Sequence, residues 1–149
     1  MKIVICGSID FTHKIKEVAD LLLERGHQIE VPLTVKKILD GEIAMEKFLT
    51  IKRKDGDLYF RQNAKEDLIK RYFRLIKDSD AILVVNINKK GIENYIGGNT
   101  FLEMGFAYIL DKKIYLLNDI PTISYKDEIV AMQPTVLSGD LDRIKKDII

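Results

Sequence analysis

AILVVN, residues 81–86, is the stretch on which the reading of the fold turns. It carries no polar side chain until Asn86, and it is too short for a helix. An unbroken apolar run of that length suits a central strand covered on both faces, as in parallel sheets. Working back from it, residues 64–77 place Leu68, Tyr72, Leu75 and Ile76 on one face of a helix. The chain opens with MKIVIC at 1–6, a β-branched run ended by Gly7-Ser8, and this reads as the first strand. Ile15, Val18, Ala19, Leu22 and Leu23 then recur at helical spacing, Gly26 closes that helix, and 28–32 forms a short second strand. Working forward, 100–110 reads as a helix, KIYLLN at 113–118 as another buried strand, and 126–132 as a short helix. Residues 133–137 supply a last strand and 141–149 a terminal helix.

Strands that alternate with helices imply right-handed parallel crossovers and helices on both sides of the sheet. The expected fold is therefore α/β: a single doubly wound parallel sheet of about five strands, flavodoxin-like or Rossmann-like, in the order 2-1-3-4-5. At 149 residues the chain is expected to form one domain, 1–149. Residues 33–63 exceed what a minimal fold needs. Structureless loops of such length are uncommon in compact domains, so the segment reads as partly helical: a lid, a subunit interface or an ordinary extra helix. Its Lys52-Arg53-Lys54 run reads as a solvated turn.

Composition excludes several function classes. Lys+Arg 24 against Asp+Glu 23 leaves a net charge of +1, with no general field to draw nucleic acid or an anionic membrane. No apolar stretch approaches the roughly 20 residues of a membrane span. The lone Cys6 cannot form an internal disulfide, which agrees with a reducing, cytoplasmic setting, and it reads as an inert buried thiol. His13 opens a helix, facing solvent, and His27 sits in a turn. With one cysteine they offer no metal-ligand spacing, so no metal and no cofactor is expected. Nor is there a nucleophile elbow for Ser-His-Asp catalysis.

In open α/β sheets ligands bind beyond the carboxyl ends of the strands, where the order reverses; here that is between strands one and three. Two segments meet there. Gly7-Ser8-Ile9-Asp10 leads into a helix whose first amides can receive an anion, with Gly7 allowing close approach and Ser8 offering a hydroxyl. The other segment is YIGGNTFLEMG at 95–105, where Gly97 and Gly98 permit a tight turn beside Asn99. Glu103 is the only charge in FLEMGFAYIL, and a carboxylate in so apolar a helix requires a partner or a purpose. Two readings stand side by side. Thr100-x-x-Glu103 matches a capping box, and Glu103 at a strand-end cleft matches a catalytic carboxylate. Gly105 reads as a site of close helix–sheet packing, and Asn86, Asn88 and Asn118 as strand-end turn or cap residues that could also face a ligand.

Taken in order, CGSI at 6–9, Ser79-Asp80 before AILVV, the glycine turn with LEMG at 102–105, KIYLLN and Ala131-Met132 resemble the nucleoside 2-deoxyribosyltransferase superfamily, which includes the 2'-deoxynucleoside 5'-monophosphate N-glycosidases. The resemblance spans most of the chain outside 33–63. It implies that Glu103 is the nucleophile at an anomeric carbon, that Gly7 and Ser8 hold the sugar or phosphate end of a nucleoside or nucleotide, and that the chain is a homodimer or higher oligomer; Asp10, Gly97, Gly98 and Asn99, beside them at the strand ends, are expected to complete the binding site. Departures are specific. Val4 stands for a Tyr of the nucleotide hydrolases, Asp10 for an Arg, Tyr72 for the second carboxylate, Gly97 for a phosphate-binding Ser and Val130 for a Ser given to a neighbouring subunit. A catalytically silent nucleotide-binding module on the same fold is the reading these losses support. GGNTFLE also resembles the GG-x-G-T-x-x-E motif of the lonely-guy phosphoribohydrolases, shortened by one glycine, which implies ribose in place of deoxyribose.

Overall fold

In the computed structural model, which describes residues 1–41, 44 and 65–145, five strands form one parallel sheet in the order β2-β1-β3-β4-β5. The elements are β1 (Lys2–Cys6), α1 (Thr12–Glu24), β2 (Gln28–Glu30), α2 (Leu33–Leu39), α3 (Lys65–Lys77), β3 (Ala81–Val84), α4 (Gly98–Ile109), β4 (Lys113–Leu116), α5 (Lys126–Ala131) and β5 (Thr135–Val136). The expected order and the α/β class hold. β3 pairs with β1 on one side (Ile3 opposite Ala81, Cys6 opposite Val84) and with β4 on the other (Ala81 opposite Lys113). All four of its residues are buried, which is why AILV carries no polar position.

Alternation along the strands divides the core. Ile3, Ile5, Ala81 and Leu83 pack with Ile15, Val18 and Leu22 of α1 and Val35 of α2. Val4, Cys6, Ile82 and Val84 face the other way, against Tyr72 and Ile76 of α3, Met104 and Ala107 of α4 and Ile129 of α5. α1 ends as its sequence predicts. Gly26 takes φ +81°, its N–H reaches the Leu23 carbonyl at 2.9 Å, and the His27 N–H reaches that of Leu22 at 3.1 Å. That pair of bonds satisfies the last carbonyls of the helix and turns the chain into β2.

Three expectations are corrected. Where a terminal helix is expected over 141–149, Leu141–Arg143 form a 3-10 turn capped by Asp140, whose carboxylate accepts from the Asp142 N–H at 3.0 Å; residues 144–145 are extended or irregular, and 146–149 lie outside the described residues. Gly105 has open space where a Cβ would stand, so close packing on the sheet does not require it. The Gly7-Ser8 turn does not enter α1 directly, because a 3-10 turn, Ile9–Phe11, comes first. Of the segment 33–63, the seven residues Leu33–Leu39 are helical as expected; its later part, with Lys52-Arg53-Lys54, lies outside the described residues.

Candidate active site

A cleft of about 250 Å³ opens over the carboxyl ends of β1 and β3. Its walls bring together Gly7, Ser8, Gly97, Gly98, Asn99 and Glu103, residues separated by up to 96 positions in sequence (103 − 7). The parallel sheet does this: β1 and β3 are neighbours with the same direction, so the loops leaving them emerge side by side. Gly7 is required where it stands. A Cβ there would lie 3.1 Å from the Val85 carbonyl oxygen and 3.3 Å from Ile15 Cδ1, so a side chain would push the first turn away from β3.

The second glycine pair works differently. Neither residue has a positive φ; Gly97 is extended and Gly98 is the first residue of α4. A Cβ on Gly97 would press on the Tyr95 ring at 3.2 Å, whereas Gly98 faces open space. α4 starts without a side-chain cap, so its first amides are left for solvent or a ligand in the cleft.

This start overturns the capping-box reading. With Gly97 as N-cap, Thr100 is the third helical residue and Glu103 the sixth, beyond reach of an end amide. Glu103 instead sits on the cleft wall, partly exposed, with the Cys6 thiol of β1 as a hydrogen-bond partner. Burial pushes its carboxyl up to about 8, against a smaller downward pull from that hydrogen bond. Cys6 is fully buried as expected, and burial, followed by the nearby Glu103, raises its thiol well above the ordinary range. The thiol therefore stays protonated, and able to donate to Glu103, at any ordinary pH.

Tyr72 of α3, where the resemblance places a second carboxylate, is buried against the same cleft, and its hydroxyl donates to the Ile5 carbonyl. Burial and the neighbouring Cys6 and Glu103 raise its phenol well above the usual value, so it stays neutral. Among the described residues that line the cleft Glu103 is the one acid.

Asp10 does not line the cleft but acts on it through a residue the sequence reading missed. Lys89, in the loop after β3, donates to the Asp10 carboxylate at 2.7 Å and to Ser8 Oγ at 2.8 Å, with its ammonium 5.4 Å from the Tyr95 ring centre. Arg71 of α3 and Lys90 also reach the cleft. Asn86 and Asn118 turn to each other: each side chain bonds the other's backbone, at 3.0–3.1 Å, so neither is a ligand group. Asn88 accepts from the Asn94 N–H at 3.0 Å and shapes the same loop. His13 is exposed, and His27 is buried with its Nδ1 3.3 Å from the Met1 amino group. Among the described residues no group of three or more His, Cys, Asp or Glu could hold a metal, and no helix is long and apolar enough to cross a membrane.

No protein-family model and no curated protein matches the chain. Among solved structures, one titled as the CMP N-glycosidase BcmB of Clostridium botulinum is similar over 91% of this chain and 85% of its own, with 16% identity and a TM-score of 0.46.

Proposed function

We propose that the chain cleaves or exchanges the N-glycosidic bond of a nucleoside or nucleotide, with Glu103 as the nucleophile. The observation that carries this reading is the placement of Glu103: the one carboxyl among the described residues of a cleft whose other walls are the Gly7-Ser8 turn and the uncapped start of α4. A carboxylate so placed can attack the anomeric carbon as the base departs with the bonding pair, giving a glycosyl ester that water or a second base resolves with retention. Only the ionised form attacks. With the carboxyl near pH 8 in the free site, kcat/KM rises about tenfold per pH unit below that value and levels above it. Gly7 and Ser8 would seat the sugar end and Gly97, Gly98 and Asn99 the rest of the polar edge.

A second reading, a nucleotide-binding module without turnover, is favoured by Tyr72, whose committed hydroxyl leaves no second acid among the described cleft residues to assist the leaving base. Incubation with a panel of nucleosides and monophosphates, followed by chromatography for free base, separates the two. Base release establishes the glycosidase; a raised melting temperature without release establishes the binder. A homodimer belongs to the glycosidase reading, with exposed Val130 and Ile109 as apolar surface to cover; light scattering that shows a monomer at micromolar concentration removes it.

A further inference from the structure

In the proposed reaction the base leaves with the electron pair of its bond to the sugar, so it leaves as an anion unless some group protonates it. Glu103 is then bonding to the anomeric carbon and has no proton to give. Tyr72 is no acid for this step. Its hydroxyl is donated to the Ile5 carbonyl, and burial holds the phenol well above its usual value. Lys89 is fastened to Asp10 and Ser8, beside the first turn, and Lys90 stands on the same loop. Among the described residues one more cation lines the cleft, Arg71 of α3.

Arg71 stands at the apolar part of the lining. Leu68 of α3 and Leu102 and Phe106 of α4 line the cleft there, a surface for the flat face of a heterocycle. Phe73 meets Phe106 edge-on, with 5.3 Å between ring centres, and so holds the two helices against each other. Residues three apart on a helix are neighbours, which puts Arg71 beside Leu68. Its charge reaches the interior of the wall. Of the influences on the buried Tyr72 phenol, which burial raises most, Arg71 is the one that pulls downward. Arg74, three residues on, is exposed as Arg71 is, yet it does not line the cleft. An apolar surface with a cation at its edge suits a base that becomes negative as it departs.

We infer that Arg71 is a further catalytic residue, whose guanidinium receives the negative charge of the departing base. The inference deepens the glycosidase reading of the same cleft and rests on it for the bond that breaks. A Glu103 oxygen bonds to the anomeric carbon as the carbon–nitrogen bond breaks, and the electron pair goes to the base nitrogen. Guanidinium N–H groups donate to the carbonyl oxygen or ring nitrogen over which that charge spreads. The base anion takes a proton from water afterwards. A guanidinium has several donors in a fixed fork and keeps its charge across the working pH range, so it acts without transferring a proton. A donor aimed at charge that develops only as the bond breaks favours the transition state over the ground state.

The test pairs a base that is an anion near neutral pH with its neutral parent: 5-nitrouracil with uracil, and 8-azahypoxanthine with hypoxanthine. Binding to the whole chain is followed by calorimetry. The anionic member of at least one pair should bind roughly tenfold or more tightly than its parent. Arg71→Met should remove most of that preference, and Arg71→Lys should keep part of it. Arg74→Met, the same loss of charge one turn away, should leave the preference within about threefold. The nucleosides and 5'-monophosphates of the same bases then give kcat/KM. Arg71→Met should lose about a hundredfold on uracil or hypoxanthine and no more than about fivefold on the acidic bases, which leave unaided. A loss equal for good and poor leaving bases marks a structural role and overturns the inference. So does the lack of any preference for the anionic base, or a preference that folded Arg71→Met keeps. Base release by the parent chain alongside any of these results keeps the glycosidase. Anion binding through Arg71, with no base released from any nucleoside or monophosphate, sinks the glycosidase and keeps Arg71 as the group that receives a base anion.

Discussion

Asn86 and Glu103 both place a polar side chain near the carboxyl ends of the central strands, yet their surroundings are opposite. Asn86 is fully buried, and its amide group donates to the carbonyls of Asn118 and Asp119 at 3.1 and 3.0 Å and accepts from the Asn118 N–H at 3.0 Å. Asn118 answers with a bond of 3.0 Å to the Asn86 carbonyl. Every hydrogen-bonding need there is met by the protein, and the pair ties the end of β3 to the end of β4. Glu103 has a thiol, a weak donor, as its hydrogen-bond partner, and it opens on a cleft. A closed polar network builds structure; a polar group whose needs are unmet until something binds is placed for chemistry.

Replacing the carboxyl tests that contrast most severely. Glu103→Gln keeps the shape and a hydrogen-bonding end but cannot form a glycosyl ester. Activity should fall by roughly three orders of magnitude or more, with the circular dichroism spectrum unchanged. A variant that keeps a tenth of the activity would show that the two polar sites differ less than their geometry says.

The same variant should be more stable than the parent, in a pH-dependent way. The folded-state pKa of Glu103, about 8, lies above its unfolded value near 4.5. Between those limits the folded protein holds a proton that the unfolded chain has lost, so this group's stabilising contribution is full below about pH 4.5 and declines as pH rises toward 8. Glu103→Gln lacks the decline. Its stability advantage in urea should therefore grow from pH 5 to pH 8, to on the order of a few kcal/mol, and then flatten. An advantage independent of pH would mean that burial does not hold the carboxyl neutral.

Asn86→Ala probes the closed network. It strands the Asn118 N–H and removes the donor to two carbonyls, at a cost of about 1–3 kcal/mol in urea denaturation. Activity per folded molecule should stay within about threefold of the parent. A larger loss would move Asn86 from the scaffold to the site.

The sheet was legible because its determinants are local in pattern: AILV can only be a strand covered on both faces, and Gly26 needs a positive φ. The cleft was legible at Gly7, Ser8 and Glu103 because topology alone decides which strand ends are neighbours. What escaped depended on contacts between distant residues. Lys89 and Lys90, within NKKG, look like solvated loop, and only the fold shows Lys89 bonded to Ser8, 81 positions earlier. Arg71 looks like the outer face of an amphipathic helix, which it is, except that this stretch borders the cleft. The capping box failed for a subtler reason. Gly98 and Asn99 join the helix, moving its start ahead of Thr100 and carrying Glu103 past the first turn. A lysine pair in the loop that follows the strand at the switch point, with an Asp after the first turn, is the one signal that could have found the cationic wall.

The smallest effect is the most diagnostic of how Glu103 is held. Cys6 ends β1 on the face toward α4, and its hydrogen bond is the influence that lowers the Glu103 pKa against burial. The thiol donates to the ionised carboxylate more strongly than to the neutral acid, so it favours the reactive form. Cys6→Ala removes this donor and leaves a space no larger than one sulfur atom, costing about 1 kcal/mol or less in stability. The midpoint of the rise in kcat/KM with pH should then move to higher pH, while the plateau above it stays close to that of the parent, since the attacking oxygen is unchanged. Cys6→Ser restores a hydroxyl donor at the same place and should bring the midpoint back down. If Cys6 were only filling volume, Cys6→Ala and Cys6→Ser would differ in stability but share the parent's midpoint. A pH profile of the three proteins, each checked for folding, decides between a thiol that tunes the nucleophile and one that merely lies beside it.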